Sequence, residues 1–255
     1  MALSRRGLLV GLPLVLADRS RAEAAPPVQI YAAMTFRPAL EVVLAAYRDA
    51  GGAAIAVYAP TPGLIRQLTG GAPADILLTA DPVWMDEAVR QALVQPETRA
   101  NLIANDLVLA GPPGSRVAGT ITRDFALEAL LDGGRLALCD PDHDPAGRYA
   151  KQSLRVLGFW ERVEPRIAMA ESAPAAVVLV DQGEVRAAVC FKTDLHRDEL
   201  AVLVGTFPSA SHAPIVYPVA LERDARNPRA DEALAFLRNP DSLRLFASFG
   251  YLAPG

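Results

Sequence analysis

The sequence predicts an α/β protein of two lobes, each a mostly parallel sheet flanked by helices. Three observations lead there. From Val28 onward short apolar runs alternate with amphipathic stretches at helical spacing. The same set of strands and helices is laid down twice along the chain. At 51% hydrophobic residues, a chain of 255 is long and apolar enough to bury one large core or two moderate ones, and its composition is not that of a disordered chain.

Taken in order, Val28–Ala33 reads as a strand. Ala39, Val43, Leu44 and Tyr47 then repeat at helical spacing until Gly51-Gly52 stops them. Residues 54–58 form the next strand, Leu64, Ile65 and Leu68 mark a short helix, and 76–79 a third strand. Asp81-Pro82 caps a helix that runs to Ala92. The second series has strands at 107–110, 136–139, 167–170 and 187–191, with helices at 146–157 and 174–181. Two last helices, 229–238 and 241–249, carry Ala233, Leu234, Leu237, Leu243, Leu245 and Phe246 with no third sheet to cover. They are expected to return to the first lobe, which gives lobes of residues 25–104 plus 220–255 and 105–219. Gly111-Pro112-Pro113-Gly114 and Asn227-Pro228 read as turns.

The N-terminus sets the expected compartment. Ser4-Arg5-Arg6-Gly7-Leu8-Leu9 puts paired arginines ahead of an apolar run that ends near Ala17. That run is too short to cross a hydrocarbon layer of about 30 Å as a helix. Ala22-Glu23-Ala24 supplies the small residues a signal peptidase needs, so residues 1–24 are expected to be a twin-arginine type signal peptide cleaved after Ala24. Pro13 and Gly7 leave the Sec route open. Residues 1–24 hold four Arg against one Asp and one Glu, so their removal takes the net charge from -4 to -6. A chain this acidic does not suit a nucleic-acid partner. Cys139 and Cys190 are too few for a disulfide framework and lack metal-site spacing, although export would permit them to pair.

In open parallel sheets the ligand crevice lies beyond the carboxyl ends of the strands, so the residues just after each strand carry the functional signal. Here they are small, hydroxylated or glycine-rich: Met34-Thr35, Pro60-Thr61-Pro62-Gly63, 140–147, Glu171-Ser172-Ala173-Pro174 and Phe191-Lys192-Thr193-Asp194. Most of these loops precede helices. Helix starts leave backbone N–H groups unpaired and carry partial positive charge, so several that converge with Ser or Thr hydroxyls make an anion site. Taken singly, each is an ordinary cap.

At these loops the chain resembles the periplasmic molybdate-binding proteins of ATP-driven (ABC-type) uptake systems. The resemblance runs through Tyr31-Ala32-Ala33-Met34-Thr35, Gly71-Ala72-Pro73-Ala74-Asp75 with Ala80-Asp81 and Trp84-Met85, Asn105-Asp106-Leu107-Val108, Pro145-Ala146-Gly147-Arg148-Tyr149-Ala150-Lys151, and Ser211-His212 through Tyr217-Pro218-Val219. It implies a two-lobed solute-binding protein, a monomer, that captures molybdate or tungstate in the inter-lobe cleft and hands it to an inner-membrane ABC permease. It also implies no catalysis, no resident cofactor and no direct bond from protein to metal, because the metal enters as its oxyanion. The family's serine contacts fall on Thr35 and Thr61, and its two backbone N–H contacts on Ala146 and Ala173. Where the family places a donating tyrosine, this chain has Phe191. The loss of one hydrogen bond to a charged group is worth about 1.5 to 3 kcal/mol, and Lys192, Thr193 or water are candidates to replace it. An acidic protein can hold an anion in this way, since oriented nearby dipoles outweigh distant, screened carboxylates.

Other readings start from different residues. Cys139-Asp140-Pro141-Asp142-His143-Asp144 gathers a thiol, an imidazole and three carboxylates, the best case for an enzyme or a metal site, but it lacks the spacing either chemistry needs. Arg66, Arg148 and Lys192 would suit another oxyanion or a small organic acid in the same architecture. His196 and His212 read as surface or structural residues, and Trp84 and Trp160 as packing.

Overall fold

The computed structural model describes residues 26–115, 119–195 and 200–254. The expected signal peptide, residues 1–24, and His196 lie outside the described residues. The chain begins with β1 (Val28–Ala33), a 3-10 turn at Met34–Phe36, α1 (Arg37–Asp49), β2 (Ala54–Ala59), α2 (Thr61–Thr69), β3 (Ile76–Leu78), α3 (Pro82–Arg90) and β4 (Ala100–Ala104). It continues through β5 (Leu107–Gly111), β6 (Gly119–Thr120), α4 (Leu127–Leu131), β7 (Leu136–Cys139), α5 (Pro145–Val156), α6 (Trp160–Val163), β8 (Ile167–Ala170), α7 (Ala173–Asp181), β9 (Ala187–Phe191) and β10 (Val202–Thr206). It ends with β11 (Val216–Leu221), α8 (Ala230–Leu237) and α9 (Pro240–Ser248).

The strands form two sheets, ordered β2-β1-β3-β11-β4 and β6-β10-β5-β9-β7-β8. Both are mixed. The helix-connected strands run parallel, β1 with β2 and β3, and β7 with β8 and β9. Beside them β11 runs antiparallel to β3 and β4, and β5 runs antiparallel to β9 and β10. Among the described residues the chain passes between the sheets twice, after Ala104 and between Thr206 and Val216. The expected passage at 219/220 needs correcting, because it falls inside β11. That strand pairs with the first sheet from Val216 to Leu221, and cutting it would break a continuous ladder.

The two passages are tied together. Asn105 N–H donates to the Ile215 carbonyl (3.1 Å), and Asn105 Nδ2 donates to Thr193 Oγ1 (2.8 Å) and to the Tyr217 hydroxyl (3.0 Å). Tyr217 is wholly buried and packs edge-on against Phe36, Tyr251 and Phe191 at centroid distances of 5.0, 5.8 and 6.4 Å. These edge-on contacts join aromatic side chains of both sheets where the sheets meet. The last two helices return as expected: α8 and α9 pack on α1, and the Tyr47 and Phe236 rings lie 4.9 Å apart. No disulfide joins Cys139 and Cys190, which are both buried. Among the described residues no helix is long and apolar enough to cross a membrane.

Candidate functional site

A cavity of about 580 Å³ opens between the carboxyl ends of the two sheets' parallel strands. Met34, Thr35, Pro60, Thr61, Ala80 and Trp84 line it from the first sheet, and His143, Asp144, Ala146, Glu171, Ser172, Ala173, Phe191 and Asp194 from the second, with Tyr217 between. Thr35, Thr61, Ala146, Ala173 and Phe191, which come from five separate strand ends, therefore share one wall surface.

The local sequence explains how each residue arrives. Thr35 sits in the 3-10 turn after β1, and the Tyr251 hydroxyl fixes that turn by donating to the Thr35 carbonyl (2.8 Å). Thr61 is the first residue of α2. The cap, Pro60, contributes no side-chain hydrogen bond, and Pro62 has no N–H to offer. The next two amides, Gly63 and Leu64, bond back to the Pro60 carbonyl, so the Thr61 N–H is the one this helix start leaves without an intrahelical acceptor. Thr61 Oγ1 accepts from the Ala80 N–H (3.3 Å), which leaves the hydroxyl proton for a further acceptor. At α7, the Ser172 hydroxyl takes the Ala175 N–H (3.3 Å), its carbonyl takes Ala176, and Pro174 again lacks a donor; Ala173 N–H remains for the cavity.

The start of α5 is different. Pro145 has no N–H, and Asp144 Oδ1 accepts from both Ala146 N (2.8 Å) and Gly147 N (3.4 Å). The backbone donor expected at Ala146 is in place but engaged by a neighbouring carboxylate. Gly147 lets this turn dock on the end of β7: a Cβ there would lie 2.3 Å from the Cys139 carbonyl oxygen and 2.4 Å from that of Asp140.

Phe191 lies in the wall with its ring edge-on to Tyr149 and Tyr217, each at 6.4 Å, and its N–H donates to Asp194 Oδ2 (2.8 Å). Neither suggested replacement donor lines the cavity. Lys192 Nζ lies 3.6 Å from Asp106, and Thr193 Oγ1 faces Asn105 at the passage between sheets. The sequence reading missed Tyr217 as a wall residue. Its hydroxyl accepts from Asn105, which leaves the phenolic proton for a second acceptor, and burial pushes its pKa well above the ordinary tyrosine value. The signal was present, since Tyr217 lies in one of the family-like stretches.

The cations proposed for an organic acid are also elsewhere. Arg66 is exposed on α2, Lys192 sits beside Asp106, and Arg148 pairs with Asp81; none of the three lines the cavity. The last pair crosses between the sheets. Asp81, fully buried, caps α3 by accepting the Trp84 N–H (2.9 Å), while Arg148 projects from α5. Burial raises the Asp81 pKa against the opposing pull of the Trp84 N–H and the Arg148 guanidinium.

The 139–144 loop does not assemble a nucleophile. Cys139 is buried at the end of β7, and burial, the Asp144 charge and a hydrogen bond to Asp144 push its thiol pKa up, away from the reactive thiolate. His143 is exposed, with Nδ1 2.9 Å from Asp140 Oδ2. Among the described residues no group of three or more His, Cys, Asp or Glu is placed to hold a metal ion. The His212 ring lies tilted against Tyr149 (5.8 Å), and Trp160 is buried beneath Lys151 and Arg155. Trp84 packs on the cluster beneath α2 and α3 and also borders the cavity.

Two sheets joined by two crossing segments, with helix starts and hydroxyls turned into the gap between them, define a receptor for a small solute. The chain belongs to the bacterial extracellular solute-binding proteins, whose family model matches residues 28–252. It is 32% identical over 231 residues to the molybdate-binding protein ModA of Escherichia coli, covering 88% of each chain. It is 31% identical over 233 residues to that of Haemophilus influenzae, covering 90% of this chain and 91% of the relative. Among solved structures, the periplasmic molybdate-binding protein of Azotobacter vinelandii superposes with a TM-score of 0.72 at 20% identity, over 89% of this chain and all of the other.

Proposed function

We propose that this protein captures molybdate or tungstate in the cavity between its lobes and delivers it to an inner-membrane ABC permease. The lobes are those drawn from the sequence, 25–104 plus 220–255 and 105–219, with all of β11 moved to the first. The reading rests on one observation: residues from separate elements with donors left open, Thr61 (N–H and hydroxyl) and Ala173 (N–H), line a single cavity together with Thr35. The ModA relatives support the choice of anion. Fixed dipoles in a closed, dry site hold a dianion without a counter-cation, and cavity size separates the larger oxyanions from sulfate. In this reading the protein acts in the periplasm as a monomer after removal of residues 1–24. It has no resident cofactor and no catalytic step, and closure on the anion marks the loaded form for the permease.

Calorimetric titration of residues 25–255 with molybdate, tungstate, sulfate and phosphate tests the proposal. Micromolar or tighter binding of molybdate and tungstate, with sulfate much weaker, is the expected result. Phe191→Tyr should tighten binding by about ten- to hundred-fold by restoring one hydrogen bond to a charged ligand. The absence of molybdate and tungstate binding in both proteins would sink the assignment. A second reading, another oxyanion in the same cavity, is favoured by two features of the wall: Phe191 brings no hydroxyl, and Asp144 brings a carboxylate.

A further inference from the structure

Among the described residues, the cavity wall includes three that carry carboxylates, Asp144, Glu171 and Asp194, and neither Lys nor Arg. Of these, Asp144 has the most direct bearing on a bound anion. The first turn of α5 has only two N–H groups able to turn toward a ligand, Ala146 and Gly147, and Asp144 Oδ1 accepts from both. The third, Arg148 N–H, closes the helix on the Asp144 carbonyl (2.9 Å). The caps of α2 and α7 are an uncharged proline and an uncharged serine, and each leaves its first N–H open. The Asp144 carboxylate also reaches the buried Cys139 thiol, whose pKa it helps to raise.

An anion that approaches Ala146 therefore meets a negative charge already seated on the donors it needs. A fully ionised oxyanion must displace that carboxylate or bear the repulsion. A protonated oxyanion has a third course: its O–H donates to the carboxylate, which turns the repulsive contact into a short, charge-assisted hydrogen bond.

We propose that Asp144 is the specificity-determining residue of this cavity, weakening fully ionised oxyanions and accepting a hydrogen bond from those that carry a proton. The site then sorts ligands by protonation as well as by size. The inference rests on the cavity being the oxyanion site proposed above, and it adds a selection rule to that reading.

The test compares the mature protein with Asp144→Asn at neutral pH, by calorimetry. Molybdate and sulfate serve as fully ionised probes, inorganic phosphate and arsenate as protonated ones. Asparagine caps helices as well as aspartate does, so α5 keeps its start while the charge goes, and an unchanged Tm checks this. In Asp144→Asn the molybdate-to-phosphate and sulfate-to-phosphate affinity ratios should each rise about tenfold or more. Asp144→Ser, another uncharged cap, should shift them the same way. If the anions bind and the ratios stay as in the parent, Asp144 is a structural cap and the inference alone falls. If none of the four anions binds any of the three proteins, the oxyanion reading falls and takes the inference with it.

Discussion

The two helix starts at Thr61 and Ala146 are nearly the same object locally, yet they face the cavity in opposite states. Each opens a helix just past the carboxyl end of a parallel strand, and each has a proline in its first two positions. At α2 the preceding residue is Pro60, whose side chain takes no hydrogen bond, and the Thr61 donors stay available. At α5 it is Asp144, whose carboxylate consumes the Ala146 and Gly147 donors within the protein. Every helix start presents the same unsatisfied N–H groups. The residue just before it decides whether those groups serve the fold or a ligand.

The strongest way to break this comparison is to cut the ion pair that crosses between the sheets beside the cavity. Arg148→Ala leaves the Asp81 carboxylate fully buried without its cation, which should cost about 3 kcal/mol of stability in urea denaturation at neutral pH. The sign of the pH dependence follows from Asp81. Its folded pKa is raised by burial, so ionised Asp81 opposes folding above that pKa and protonation relieves the penalty below it. Removal of Arg148 takes away a positive charge that lowers the Asp81 pKa, so the deficit should be largest at neutral pH and shrink on acidification. A deficit that grows toward acid pH would contradict this account.

The next largest effect comes from pushing α5 off its strand. Gly147→Ala forces a Cβ against the backbone carbonyls of Cys139 and Asp140, and should cost about 2 kcal/mol by thermal or urea unfolding. Gly71→Ala is the control, because its Cβ would meet open space and only the positive φ is strained. If the two variants unfold alike, the close packing under Ala146 does not position the wall.

The smallest of these changes sharpens the comparison from the side that offers donors. Thr61→Val removes the hydroxyl and keeps the shape, and should weaken oxyanion binding about tenfold, with Thr61→Ser close to the parent. Equal affinities in the valine and serine variants would show that the α2 wall acts through its backbone alone.

Much of this was legible along the chain. The alternation of apolar runs and amphipathic stretches located the helix-connected strands and the longer helices between them, though not the short α4 and α6, because side-chain periodicity is a local property that shows only over several residues. The loops that follow parallel strands could be singled out for the same reason, and Thr35, Thr61, Ala146, Ala173 and Phe191 do line one cavity. What escaped was non-local. Strands β4, β6, β10 and β11 were not identified, and β11 carries Pro218, a residue that argues against a central strand until the register irregularity between Tyr217 and Pro218 is seen. The link between Asp81 and Arg148 spans 67 residues, and no spacing rule announces it.

By itself, then, the sequence determined the fold class, the places where the chain turns from strand to helix, and a set of residues at strand ends suited to an anion. These follow from propensities and patterns only a few residues long. Only the tertiary structure decided which way the added strands run, that Tyr217 joins the wall while Lys192 and Thr193 do not, and that the Ala146 donor is held by Asp144. Those outcomes depend on which groups meet after the sheets have formed, and a hydrogen bond or ion pair goes to whichever partner the packed chain brings within about 3 Å.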